Sequence, residues 1–186
     1  TTDLGIEWLK TRPQDKPFFL MLHQKAPHRA WEPDERNKAL FQNKVIPEPD
    51  TLWDDYATRP AALPRNRQTI ARDLTRRDLK LEPPSDLKGP ARNQWLQEVP
   101  MELSVDGKTL TGKDLVRWKY QRYMQDYLAC VQGVDDGVGR ILDYLDQVIG
   151  KREGVNTYAC MNGLLLPDRQ VFLLDTHVNC DPTAEQ

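Results

Sequence analysis

His23-Gln24-Lys25-Ala26-Pro27-His28-Arg29 places four cationic or titratable side chains within seven residues. Lysine supplies a point charge, arginine a planar fork of donors, and histidine a donor that can also pass a proton. Lys25, His28 and Arg29 in one loop would concentrate enough positive charge and donors to hold an anion. Pro27 restricts the backbone immediately before His28 and limits how far its imidazole can wander. A solvated basic loop with a capped imidazole fits the same residues equally well, and spacing alone leaves both readings open. His23, at the end of the preceding apolar run, reads as structural.

Elements on either side must position this loop. Pro17 to Leu22 (PFFLML) is a short continuous apolar run bounded by Pro17 and a polar loop, the pattern of a strand buried on both faces in a parallel sheet. Ahead of it, Thr2 and Asp3 are good N-cap residues. Leu4, Trp8 and Leu9 mark one face of a helix running through Lys10, and Pro13 stops it. A helix feeding a strand is half of an α/β unit, and ligands in such sheets sit beyond the carboxyl ends of the strands.

From Pro27 to Pro100 prolines punctuate a long irregular excursion. Its one convincing helical stretch, Ile70 to Leu81, carries Arg72, Arg76, Arg77 and Lys80 on a face expected to be solvated. Met101 to Leu110 alternates around Asp106-Gly107, a hairpin signal. Thr111 to Val148 is the strongest helical pattern. Val116, Tyr120, Tyr123, Tyr127, Val131, Val134, Val138, Ile141, Leu145 and Val148 recur at spacings of three and four. Gly133, Gly137 and Gly139 in that run imply a break or a close approach to another backbone near Gly133 to Gly139. Asn156 to Met161 and Val171 to Asp175 read as short strands, and the tail from Thr176 has no periodicity.

With 186 residues the chain can bury one respectable core. A net charge of -2 without long Lys or Arg runs argues against a nucleic-acid partner. No apolar stretch reaches the length of a membrane span. The first residues, TTDLGIEWLK, have neither a basic nor an apolar leader region, so no signal peptide is expected and the compartment stays open. Cys130, Cys160 and Cys180 are too few and too widely spaced for a disulfide framework or a metal knuckle.

The string KPFFLMLHQKAPHRAWEP, then IPEPDTLWDDYATRPAAL, then DLVRWKYQRYMQDYLACVQGVDDGVGRILDYLD resemble, in order, segments of the formylglycine-dependent (type I) sulfatases. The resemblance covers roughly residues 1 to 147. It implies the α/β class and an incomplete part of an alkaline-phosphatase-like sandwich: buried parallel strands flanked by helices, with a long irregular insertion. It also implies that His28 contacts the sulfate or polarises the leaving ester oxygen, with Lys25 and Arg29 as weaker substrate contacts. Asp135 and Asp136 would cap or anchor Arg140 and neighbouring loops. Such proteins are commonly periplasmic, extracellular or lysosomal.

Other parts of the family pattern are missing. Members use Ca²⁺ or Mg²⁺ and a formylglycine nucleophile made from the Cys of a C-x-P-S-R element. Here the only echo is Cys180-Asp181-Pro182-Thr183-Ala184, without the Arg. The strand that should bring a metal Asp reads Asn156 to Gly163, with Met161 at that place, and a thioether does not replace a carboxylate on a hard cation. No metal ligand and no cofactor is therefore assigned to this chain. The domain reading is 1-150 as a partial sulfatase catalytic domain and 151-186 as a divergent C-terminal segment with a degenerate strand. The function expected is that of a sulfuric ester hydrolase, with a sulfated small molecule or carbohydrate as partner, present as a fragment that would be inactive alone. The alternative is a catalytically inactive truncated relative acting as an anion-binding or interaction module. A third reading is an unrelated α/β protein with a basic loop.

Overall fold

The computed structural model describes residues 1–16, 18–66, 68–98, 101–149, 157–162 and 171–176, the last two stretches by their backbone. The chain divides into two compact units: Thr1–Arg29 with Cys130–Gln186, and Ala30–Ala129.

In the first unit, helix α1 (Thr2–Thr11) buries Thr2, Gly5 and Leu9, while Leu4 is 75% exposed and Trp8 39%. The expected Leu4-Trp8-Leu9 face is therefore right only at Leu9. Close approach decides the face: a Cβ on Gly5 would stand 2.9 Å from Leu22 Cδ1. Trp8 lies outside that contact and meets the Phe18 ring edge-on at 5.8 Å. The Arg12 amide closes the helix on the Trp8 carbonyl, and Pro13 follows.

Pro17 lies outside the described residues. Phe18 to Leu22 is extended but enters no ladder, and no partner strand for it occurs among the described residues. Phe18, Leu20 and Leu22 are half-buried, whereas Phe19 is 83% exposed and Met21 66%. The expected strand buried on both faces is thus an extended segment with one open face. Period-2 alternation turns every second side chain away from whatever covers the other face. Both described sheets are antiparallel hairpins. One of them, β3 (Thr157–Asn162) against β4 (Val171–Thr176), sets Met161 opposite Phe172 and bears out the two short strands read from sequence.

Helix α5 (Gly112–Tyr144) runs through both units and ends in a π-helical turn, Leu145–Ile149. It does not break at its glycines. Gly137 is instead a point of close approach, where a Cβ would stand 2.6 Å from the Thr2 hydroxyl; at Gly139 a Cβ would meet open space. In the first unit Arg140 pairs with Asp3, and Gln132 donates to Asp136 at 2.9 Å.

The second unit packs on the first half of α5. Trp31, Leu74, Leu79, Met101, Leu103, Tyr120, Tyr123 and Ala129 are its buried core. Strands β1 (Leu103–Val105) and β2 (Lys108–Leu110) form the expected hairpin, with Asp106 at φ 50 and Gly107 at φ 75 in the turn. Helix α4 (Gly89–Gln97), not anticipated from periodicity, starts with Pro90 in its first turn, the position where proline suits a helix. The irregular chain is held by side chains of α5. Gln121 accepts from the Ile46 amide at 2.8 Å and donates to the Ile46 carbonyl at 2.7 Å. Tyr120 donates to Pro47 O at 2.7 Å and Gln125 to Lys44 O at 3.0 Å.

After the equally short α2 (Ala62–Arg65), the helix expected over Ile70 to Leu81 shrinks to one turn, α3 (Ile70–Asp73). Beyond it the Thr75 amide and hydroxyl both donate to Asp78 Oδ2, at 2.8 and 2.7 Å, and the Asp78 amide returns to Thr75 Oγ1 at 3.3 Å. Such local side-chain bonds compete with helix continuation. Its cations are not a uniformly solvated face either. Arg76 is buried, sits over the Trp95 ring at 4.6 Å and bonds Glu98.

Lys119 is 1% exposed, donates to the Ala71 carbonyl at 3.0 Å, and burial pushes its ammonium below the ordinary lysine value. A depressed value means the unfolded chain binds more protons in the window between it and 10.5, so stability rises with pH there and is lost as pH falls through the folded value. Lys119→Met should flatten that rise in melts taken up to about pH 11, leaving the part due to Lys80, also depressed by burial. A second pair of variants separates propensity from fit. Gly139→Ala should stabilise by up to about 1 kcal/mol, whereas Gly137→Ala should destabilise by about 1–3 kcal/mol through overpacking against Thr2. Denaturant midpoints moving in the same direction would contradict the close approach.

Candidate functional site

The loop His23 to Arg29 continues the extended segment within the first unit. Its turn closes where the His28 amide donates to the Lys25 carbonyl at 2.9 Å, across a cis Ala26-Pro27 bond with Pro27 buried. Burying the proline and closing the turn leave His28 outward and exposed. The His28 Nδ1 is bonded to the Arg29 carbonyl oxygen. A carbonyl only accepts, so Nδ1 carries a hydrogen and Nε2 is the ring position left toward solvent.

Lys25 is exposed and Arg29 half-buried. All three predicted side chains therefore lie on one seven-residue turn, and the structure adds what holds that turn. Gln24 Nε2 donates to the Thr2 hydroxyl at 3.0 Å, tying the loop to the first turn of α1. The Thr2 hydroxyl also occupies the space a side chain at position 137 would need. Gln24 and Thr2 were missed in the sequence because neither titrates and they lie 22 residues apart. Gly137, a helix-interior glycine, was the available signal. His23 is exposed at the loop entrance.

Among the described residues no group of three or more His, Cys, Asp or Glu side chains could hold a metal ion. Cys130 is buried in α5 at 3% exposure, a poor place for a nucleophile that must meet a substrate. The described residues thus do not fit the metal or the formylglycine implied by the sequence resemblance, and no chemical step is assigned through either. Cys180 and the side chains of Met161 and Asn162 lie outside what is described. No described helix is long and apolar enough to cross a membrane.

A family profile described as Sulfatase matches residues 1–153. The chain is 35% identical over 191 residues to an N-acetylglucosamine-6-O-sulfatase of Bacteroides thetaiotaomicron, covering 92% of this chain and 34% of the relative. It therefore spans about a third of that relative's length. A solved structure described as a complex with its substrate D-glucosamine-2-N,6-O-disulfate aligns at TM-score 0.58 and 35% identity, over 79% of this chain and 33% of that one. A second likeness, 46% over 61 residues, is to an NADP-dependent malic enzyme of Haemophilus influenzae, covering 33% of this chain and 8% of the enzyme.

Removing the loop's tether tests this geometry. Thr2→Val keeps the shape at Gly137 but deletes the acceptor of Gln24. The loss should be about 0.5–1.5 kcal/mol in chemical denaturation, with the Gln24 side-chain amide resonances moving toward solvent-exposed positions. Unchanged Gln24 resonances would mean the tether is not formed.

Proposed function

Since this chain belongs to the sulfatase family, we propose that it supplies one wall of a sulfate-ester pocket, with His28 as the substrate contact. The observation that supports this reading is the outward His28 ring with Nδ1 engaged by Arg29 O. That bond sets the ring's orientation and leaves Nε2 to meet a sulfate oxygen or to donate to the leaving ester oxygen. Lys25 and Arg29 add positive charge beside it, the first as a point charge and the second as a fork. The substrate class is a sulfated amino sugar. It rests on the names of the relatives, one an N-acetylglucosamine-6-O-sulfatase and one bound to a disulfated glucosamine.

The whole protein of which this chain is part is proposed to hydrolyse such esters. The 186-residue chain by itself is proposed to bind without turnover, because its described residues lack a metal-ligand cluster and an accessible thiol. Residues 1-150 are assigned to the catalytic domain and 151-186 to a separate segment. The family profile ends at residue 153, near that boundary, while the likeness to the Bacteroides sulfatase, over 92% of this chain, runs past it. The 61-residue malic-enzyme likeness is longer than the 33 residues that follow (186 − 153), so it overlaps the sulfatase-matched span. Eight per cent of an enzyme's length carries no activity across.

Titrating the full chain with glucosamine 6-sulfate should shift the His28 imidazole resonances, and glucosamine should not. His28→Ala should weaken binding at least several-fold. No response at His28 would overturn the pocket assignment. Robust release of sulfate from the sugar by this chain in the presence of Ca²⁺ would overturn the assignment of binding without turnover.

A further inference from the structure

Two buried polar atoms of the second unit lack a partner in the same neighbourhood. Trp31 is 1% exposed and Asp126 6%. Trp31 Nε1 and Asp126 Oδ2 are sealed from solvent, and neither has a hydrogen-bond partner among the described residues. Their chemistry is complementary, because an indole N–H only donates and a carboxylate only accepts. Left so, each would carry the full penalty of desolvation.

Several contacts bring the two residues together. The Trp31 ring meets the Tyr123 ring edge-on at 4.5 Å. Tyr123 and Asp126 are three residues apart on α5 and so share a face. Lys80 Nζ donates at 2.6 Å to the carbonyl of Ala30, the residue before Trp31. The same ammonium interacts electrostatically with Asp126 and with Glu32, the residue after Trp31. Arg122 donates to Asp126 Oδ1 at 2.9 Å, which leaves Oδ2 as the carboxylate oxygen still to be satisfied. Trp31 at φ 25 and Lys80 at φ 55 both hold left-handed backbone that non-glycine residues rarely adopt, so their surroundings must over-determine them.

We propose that one water molecule is bound in this buried site, accepting from Trp31 Nε1 and donating to Asp126 Oδ2. Because a water both accepts and donates, one molecule can satisfy both orphaned atoms at once. With the Lys80 bond and the Tyr123 contact, it fastens Ala30 and Trp31 to α5. The site stands on its own residues and does not depend on the substrate assigned to His28.

The test uses the intact, isotope-labelled chain, with the Trp31 indole resonance identified by its loss in Trp31→Phe. In the unmutated chain that indole proton should show a cross-relaxation peak with water of the sign given by a long-lived internal molecule, and slow exchange. Asp126→Asn weakens the water's polarisation and should move the Trp31 indole proton upfield, with the Trp8 and Trp53 indoles unmoved. A Trp31 indole proton without a water peak would overturn the proposal, whatever the variant does. So would an Asp126→Asn protein with an unchanged circular dichroism spectrum and an unmoved Trp31 resonance.

Discussion

Backbone amides and carbonyls that enter neither helix nor sheet still need partners when they are covered, and a proline-rich chain has many of them. In the second unit those partners come from the side chains of helix α5. Gln121 takes both polar groups of Ile46, Tyr120 and Gln125 take the carbonyls of Pro47 and Lys44, and Lys119 and Arg122 reach those of Ala71 and Leu79. The helix thereby does for irregular chain what a neighbouring strand does in a sheet. This explains why its buried stripe mixes tyrosines with aliphatic residues. A ring fills the volume while its hydroxyl, or a glutamine one position away, serves the backbone laid across it.

The first unit depends on small residues rather than on long donors. Gly5 lets α1 meet Leu22, and Gly137 lets α5 meet Thr2, whose hydroxyl then accepts from Gln24. The basic loop hangs from these contacts. The structure gives the loop its local form: a closed turn, an outward imidazole and a defined ring nitrogen. The chain's fold is part of the alkaline-phosphatase-like architecture, which the likeness to a solved structure at TM-score 0.58 supports.

Period and composition were enough for some elements. Asp106-Gly107 between alternating residues announced the hairpin, and the three-and-four spacing from Val116 to Leu145 announced α5. Ile70 to Leu81 misled for a physical reason. Its apolar spacing is helical, but Thr75 and Asp78 satisfy each other and end the helix after one turn, and Arg76 finds Trp95 and Glu98. Helix α4 escaped notice because it buries no residue and carries no apolar stripe, although Pro90 marked its start.

Sequence alone determined the family and the residue types of the proposed site, because both are carried by local strings: the Lys25-Ala26-Pro27-His28-Arg29 run and the long helix. It also determined that Gly137 needed a reason. What that reason was, which face of α1 is buried, how Gln24 anchors the loop and where Asp126 is buried were decided only by tertiary structure. Each depends on a partner 17 to 135 positions away in the chain, and no local pattern records the distance between such residues once folded.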